Sequence, residues 1–218
     1  VNTLYLWPQG FTLDVYRQII EAGNVFIGYR NSFIIVTVGT FISLTATVFA
    51  GYSLSRRWLY GRRLISTLIV FTMLFNGGII PTFLVVRSYG MVDTLWALML
   101  PTAINVYNLL IMTRFLANIP DSLVESAYID GYNDIAILFA IIIPLSKAAL
   151  AVVGLFYAVF TWNAFFPGLI YINDNNKYPL QTILYLLVKS SVSMEQDSSV
   201  LSALPESIKM ATAFMTMI

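Results

Sequence analysis

From Asn31 to Ser55 the chain carries no charged residue, and that run limits what it can fold into more than any other stretch does. At ~1.5 Å of rise per residue, a helix of this length crosses a ~30 Å hydrocarbon core with some tilt. Small residues recur along it at Gly39, Thr40, Ser43, Thr45, Thr47, Ala50 and Gly51. They permit close helix approach where hydrophobicity alone supplies no drive. One face of this first span is expected to pack against neighbours.

The rest of the chain has the same character. Hydrophobic residues make up 58% of the 218 and charged residues 11%, and mean hydropathy is +0.78. Soluble domains carry roughly a quarter charged residues, so the chain reads as an all-α integral membrane protein. Its net charge of +1 gives no global field that would suggest a nucleic-acid partner. With no Cys and no His, thiol nucleophiles, disulfides, imidazole metal sites and histidine acid–base chemistry are excluded, and no metal site is expected. The sequence begins at Val1 without a signal peptide, and both ends read as truncated.

Charge placement orders the segments. Residues 1–30 mix aromatics, Pro8, Gly10 and charges, and read as an extracytoplasmic segment with a short helix near Leu13 to Ile20. After the first span, RRWLYGRR at 56–63 carries four arginines, whereas the next polar connection, 87–93, has one arginine and one acid. By the positive-inside rule the loop at 56–63 is cytoplasmic. Further spans are expected at 64–86, where Asn76, Gly77, Gly78 and Pro81 weaken or kink the helix, at 94–113 and at 148–173. An external loop follows at 174–209, and another span begins at 210–218. The loop at 114–147 then shares the cytoplasmic side with 56–63.

That second cytoplasmic loop holds a polar island within 119–147: Asp121, Glu125, Asp130 and Asp134. Ser122 and Glu125 fit S-x-x-E, in which serine caps a helix start and glutamate bonds back to it. Gly131 ends or bends that helix, and Asn133 caps the next one, which runs to Pro144. From the residues alone, the island is either a turn returning the chain to the bilayer or a docking surface.

The order Glu125, Ser126, Ala127, Asp130, Gly131, then Pro144 and Leu145 after an apolar stretch, resembles the EAA loop of binding-protein-dependent ABC importer permeases. Serine stands here at the second-position alanine. GFTLDVYRQII, YRNSFIIVTVGT, AGYSLSRR, IPTFLVVRSYGMVDTLWALMLP and WNAFFPGLIY extend the likeness over essentially the whole chain. The chain is similar to carbohydrate permeases of the maltose-importer type, in the branch serving complex oligosaccharides and polysaccharide fragments, alginate-type oligosaccharides among them. The resemblance implies a type I helical bundle whose loop forms a coupling helix docked on an ATP-hydrolysing subunit. Glu125 would be the docking acid, Ala127 a small contact that lets the helix sit deep, and Gly131 the turn, with Ser126, Asp130 and Pro144 completing the motif. Glu125 is thus wanted both as a cap and as a docking contact.

The resemblance also implies partners: a second permease subunit, two ATPase subunits holding ATP and Mg, an extracytoplasmic solute-binding protein, and a sugar. The chain has no G-x-x-x-x-G-K-[ST], so it is expected to be non-catalytic and to hold no cofactor. Asn76, Asn105, Tyr107, Asn108, Trp162 and Asn163 are candidates for the sugar pathway, with Asn105 and Asn108 on one helix face. Each has an ordinary role as well, an interhelical hydrogen bond for asparagine or an interface anchor for tryptophan. Tyr178, Gln181, Gln196 and Asp197 are candidates for contact with the binding protein. An ion-coupled secondary transporter is the alternative, but its buried ionisable residues are missing from the four complete spans.

Overall fold

The polar side of the first span decides where the other helices sit. The structure, a computed structural model, describes residues 24–56, 58–75 and 77–197. In chain order the helices are α1 Asn24–Ser55, α2 Arg62–Leu74, α3 Ile79–Ser88, α4 Trp96–Met99, α5 Val106–Ala117, α6 Asp121–Ile129, α7 Asp134–Leu145, α8 Lys147–Trp162, α9 Phe166–Tyr171 and α10 Leu180–Asp197. The described residues contain no strand.

Helix α1 has 32 residues and is about 48 Å long. Phe26, Phe33, Phe41 and Phe49 are exposed along it, whereas Asn31, Ser32, Ser43 and Thr47 are buried. This reverses the soluble pattern, because lipid accepts phenyl rings while small and polar side chains gain by packing and hydrogen bonding inside. Helices α5, α8 and α10 pack on α1, and α5 also packs on α8. Among α1, α5, α6, α7 and α8 lies the main core, which includes Val48, Met112, Leu116, Ile137, Ile142 and Tyr157. Inside it Tyr157 Oη lies 2.7 Å from Thr47 Oγ1 and accepts the Asn105 backbone N–H at 3.0 Å, so one hydroxyl ties three helices together.

Helix boundaries differ from the expected spans in several places. Helix α1 begins at Asn24, so residues 24–30, read as extracytoplasmic segment, are helical. The run 64–86 is divided between α2 and α3, with Gly78 at the N-terminus of α3 in left-handed φ (84°). Thr94 to Thr113 is not one helix either. Pro101 follows α4, the chain turns, and α5 restarts at Val106. Likewise α8 stops at Trp162 rather than Asn173, and α9 is a separate short helix. Of the expected external loop, residues 180–197 are helix α10. The short helix near Leu13 to Ile20 and the span at 210–218 lie outside the described residues. Among the described residues, helix α1 alone is long and apolar enough to cross a membrane; two bent pairs, α2 with α3 and α7 with α8, pass the same test jointly.

At the α1 end that carries Asn31, side chains fasten the later segments. Asn31 Nδ2 donates to the carbonyls of Asn176 (2.8 Å) and Tyr178 (3.2 Å), and Ser32 Oγ accepts the Leu180 N–H (2.8 Å). Asp93, in left-handed conformation at φ 61°, accepts from the backbone N–H groups of Asn173 and Asp174, each at 3.0 Å, and pairs with Lys177 at 2.7 Å. These contacts join segments eighty or more residues apart. The Lys177 hydrogen bond, followed by the two backbone donors, holds the Asp93 carboxyl down at about 2.

Candidate functional site

The acidic island folds as two helices meeting at a glycine, α6 and α7. Pro120 stands at the α6 N-cap without a side-chain hydrogen bond, and Asp121 occupies the first turn, where a negative charge complements the exposed N–H groups. The expected capping box is therefore not formed. Ser122 lies inside the helix, and the exposed Glu125 makes no hydrogen bond or ion pair among the described residues. Its carboxylate is free for an external contact.

The other end of α6 is closed by backbone geometry. The Tyr132 N–H donates to the Ala127 carbonyl (2.9 Å) and the Gly131 N–H to Tyr128 (3.0 Å), the paired bonds of a Schellman motif. That motif places residue 131 at φ 87°, where glycine has no Cβ penalty. Asn133 then caps α7, its Oδ1 accepting the Ala136 N–H at 2.8 Å. The Tyr128 hydroxyl crosses the turn to donate to Asp134, and this bond, more than burial, pushes the phenol up to about 12.

Helix α7 widens to a π-helical turn at Leu138–Ile142, just before Pro144. Proline has no N–H and its ring crowds the carbonyl four residues back, so a wider turn relieves the helix there. At Ser146 the chain bends by 84° into α8. The bend folds α7 back towards α6 and leaves a groove of about 530 Å3, lined among others by Leu123, Ser126, Asp130, Tyr132, Pro144 and Leu145.

The predicted coupling residues thus fall into three groups. Ser126, Ala127, Asp130 and Pro144 share the groove, Glu125 projects from the exposed side of α6, and Gly131 makes the turn. Ala127 is only 4% exposed and packs with Val124 into the chain's own core. Its smallness lets α6 lie close to its own bundle, which differs from the expected outward contact.

The pathway candidates are dispersed. Asn105 is the N-cap of α5, its Oδ1 accepting the Asn108 backbone N–H at 3.2 Å, while the Asn108 side chain is buried. Their one-face spacing reflects a cap, and Tyr107 is exposed. Trp162 packs beside Val25, Leu180 and Leu184, and Asn163 donates back to the Val159 carbonyl at the end of α8. Asn76 lies outside the described residues. Tyr178 packs on the core near Tyr171 and Ile172, and Gln181 is half-buried in the first turn of α10. Gln196 and Asp197 belong to the last turn of that helix, about 22 Å further along it.

Two features escaped the reading of the sequence. The Asp93–Lys177 clasp spans 84 positions, and no local pattern announces it. Arg56, taken only as one of four arginines marking a side of the membrane, is buried against Tyr52 beside Asp121. Its place directly after the uncharged run 31–55 was the one available signal.

No protein-family model matches the chain. It is 47% identical over 194 residues to the polygalacturonan/rhamnogalacturonan transport system permease protein YtcP of Bacillus subtilis (strain 168), a match covering 89% of this chain and 68% of that one. It is 42% identical over 213 residues to the protein LplC of the same organism, covering 96% and 72%. Among solved structures it resembles a bacterial ABC transporter involved in the import of the acidic polysaccharide alginate, with TM-score 0.87, 28% identity, and coverage of 100% of this chain and 79% of that one. The all-helical bundle, the groove beside a glycine-turned helix pair and these relatives agree: the chain belongs to the permease proteins of carbohydrate ABC transporters.

Proposed function

We propose that this chain is the non-catalytic half of the translocation pathway of an ATP-driven importer, and that the α6–α7 hairpin is where an ATPase subunit docks. The observation that carries the reading is Glu125, an unpaired carboxylate exposed on a helix whose opposite face, Val124 and Ala127, is anchored in the bundle core. A helix built this way passes a push at its outer side to the bundle. ATP and Mg would be held by the partner ATPase subunits, since the chain lacks a phosphate-binding loop. A second permease subunit and an extracytoplasmic binding protein complete the assembly proposed. An ATP-driven family leaves no role for the ion-coupled alternative.

The arginine-rich loop and the hairpin lie at one end of the molecule, Arg56 beside Asp121, which supports placing both in the cytoplasm. The cargo we propose is an oligosaccharide cut from a polysaccharide, consistent with what YtcP and the alginate importer are named for. The four runs 31–55, 64–86, 94–113 and 148–173 contain no Lys or Arg, so selection for an acidic sugar would rest with the partner permease or the binding protein.

The test is transport by the reconstituted complex supplied with loaded binding protein. Glu125→Ala is expected to reduce binding-protein-stimulated ATP hydrolysis and uptake at least about tenfold, since an interfacial charge truncated from a desolvated contact costs about 2 kcal/mol or more, while assembly is retained. Wild-type uptake by that variant would exclude the docking role.

A further inference from the structure

Arg56 follows the last residue of α1 and is the only buried charged residue among the described residues, 5% exposed. Its Cζ lies 4.6 Å from the centre of the Tyr52 ring, and its Nη1 lies 3.9 Å from Asp121 Oδ1 in the first turn of α6. Among the described residues, its buried Nε and Nη2 find no hydrogen-bond partner. Asp134, at the start of α7, interacts electrostatically with Tyr52 and takes the Tyr128 hydrogen bond. One pocket therefore gathers the end of α1, both ends of α6 and the first residue of α7.

An arginine needed only to mark a membrane side has no reason to be buried, and Arg63 in the same loop is exposed. A buried guanidinium resists losing its counter-charge, because separation leaves an uncompensated cation in a low-dielectric site. The planar group also stacks on Tyr52, which a lysine does less well. Pulling α6 from α1 would break the ion pair and uncover that stack together.

Resting on the docking reading above, we propose that Arg56 is a positioning residue that clamps the coupling helix α6 to the end of α1, so that a displacement of the docked hairpin is delivered to the longest span. The unpaired Nε and Nη2 give the clamp spare donors with which to follow Asp121 or reach Asp134 as the hairpin moves.

The experiment uses the whole importer in liposomes with its ATPase subunits and loaded binding protein, and reads sugar moved per ATP hydrolysed. Arg56→Met keeps the stem and removes the charge; it is expected to lower that ratio about fivefold in normally assembled complexes, the scale of a typical coupling between sites. Arg56→Lys should recover at least part of the loss, which a role in packing alone would not predict. Asp121→Asn, on an exposed side chain, should lower the same ratio about twofold. A wild-type ratio in assembled Arg56→Met complexes, or an Arg56→Lys variant as poor as Arg56→Met, overturns the proposal. If Arg56→Met does not assemble, Asp121→Asn decides, and a wild-type ratio there overturns it. Glu125→Ala in the same preparation separates the two claims. If it leaves the stimulated hydrolysis and the uptake unchanged, the docking reading fails; if it lowers both while Arg56→Met keeps a wild-type ratio, only the clamp fails.

Discussion

Replacing Tyr157 by Phe removes one oxygen and disconnects three helices. That oxygen meets Thr47 Oγ1 at 2.7 Å and accepts the Asn105 N–H at 3.0 Å, in a core where Thr47 is fully buried and Tyr157 nearly so. Interhelical hydrogen bonds in membrane proteins are worth about 0.6 to 1 kcal/mol each, and orphaning a buried partner adds about 1 kcal/mol or more. Asn105 is exposed, so solvent or headgroups take over its N–H, and Thr47 is left able to bond back along its own helix. The expected loss is therefore that of the two bonds, about 1 to 2 kcal/mol, with no cavity contribution because the ring remains. Denaturant titration of the purified complex measures it, in a double-mutant cycle with Thr47→Val. The double variant should be less destabilised than the sum of the single ones by about 0.5 to 1 kcal/mol, since each single change already breaks the shared bond. Strict additivity, or a Tyr157→Phe variant within about 0.3 kcal/mol of wild type, would refute the three-helix link.

Two further outcomes follow from the turn and the clasp. Among the described residues, its chain neighbours aside, no atom lies within 4 Å of where a Cβ on Gly131 would stand, so substitution there is penalised by conformation rather than collision. Gly131→Val should cost roughly 1–2 kcal/mol and Gly131→Asn clearly less, by the same titration; equal costs would contradict the left-handed turn. The Asp93 carboxyl is depressed to about 2 from 3.8, so its contribution is complete above 3.8 and is lost as pH falls through about 2. The thermal midpoint gap between wild type and Asp93→Asn should be widest above 3.8 and close towards pH 2; a gap that does not change with pH would show that the charge on Asp93 is not what holds the clasp.

Residues whose consequences are local were the legible ones. Gly131 and Asn133 announced a turn and a cap because both act within a few positions, and the uncharged run from Asn31 announced a helix. Helix ends inside apolar stretches were less visible. Pro101 and Trp162 mark breaks that hydropathy passes over, because a broken segment buried in a bundle is as apolar as a straight one. Ser122 and Glu125 match a capping box, but Pro120 takes the N-cap and the helix begins two residues too early to use it. Helix α10 falls inside the expected external loop, and what anchors it, Ser32 and Val25, lies far away in sequence. The environment of Arg56 was hidden for the same reason: burial at that position is set by α6, not by its neighbours in the chain.

The 218 residues contain no cysteine, so a single introduced thiol marks one place among them. Leu123→Cys lies exposed at the mouth of the α6–α7 groove, and Phe33→Cys lies exposed on the outward face of α1. Each would be labelled with a photoactivatable cross-linker in the assembled importer. The account predicts that the probe at residue 123 captures an ATPase subunit and that the probe at residue 33 does not. Capture of the ATPase subunit from neither position, or from residue 33 alone, would contradict the claim that the hairpin is where ATP hydrolysis drives this permease.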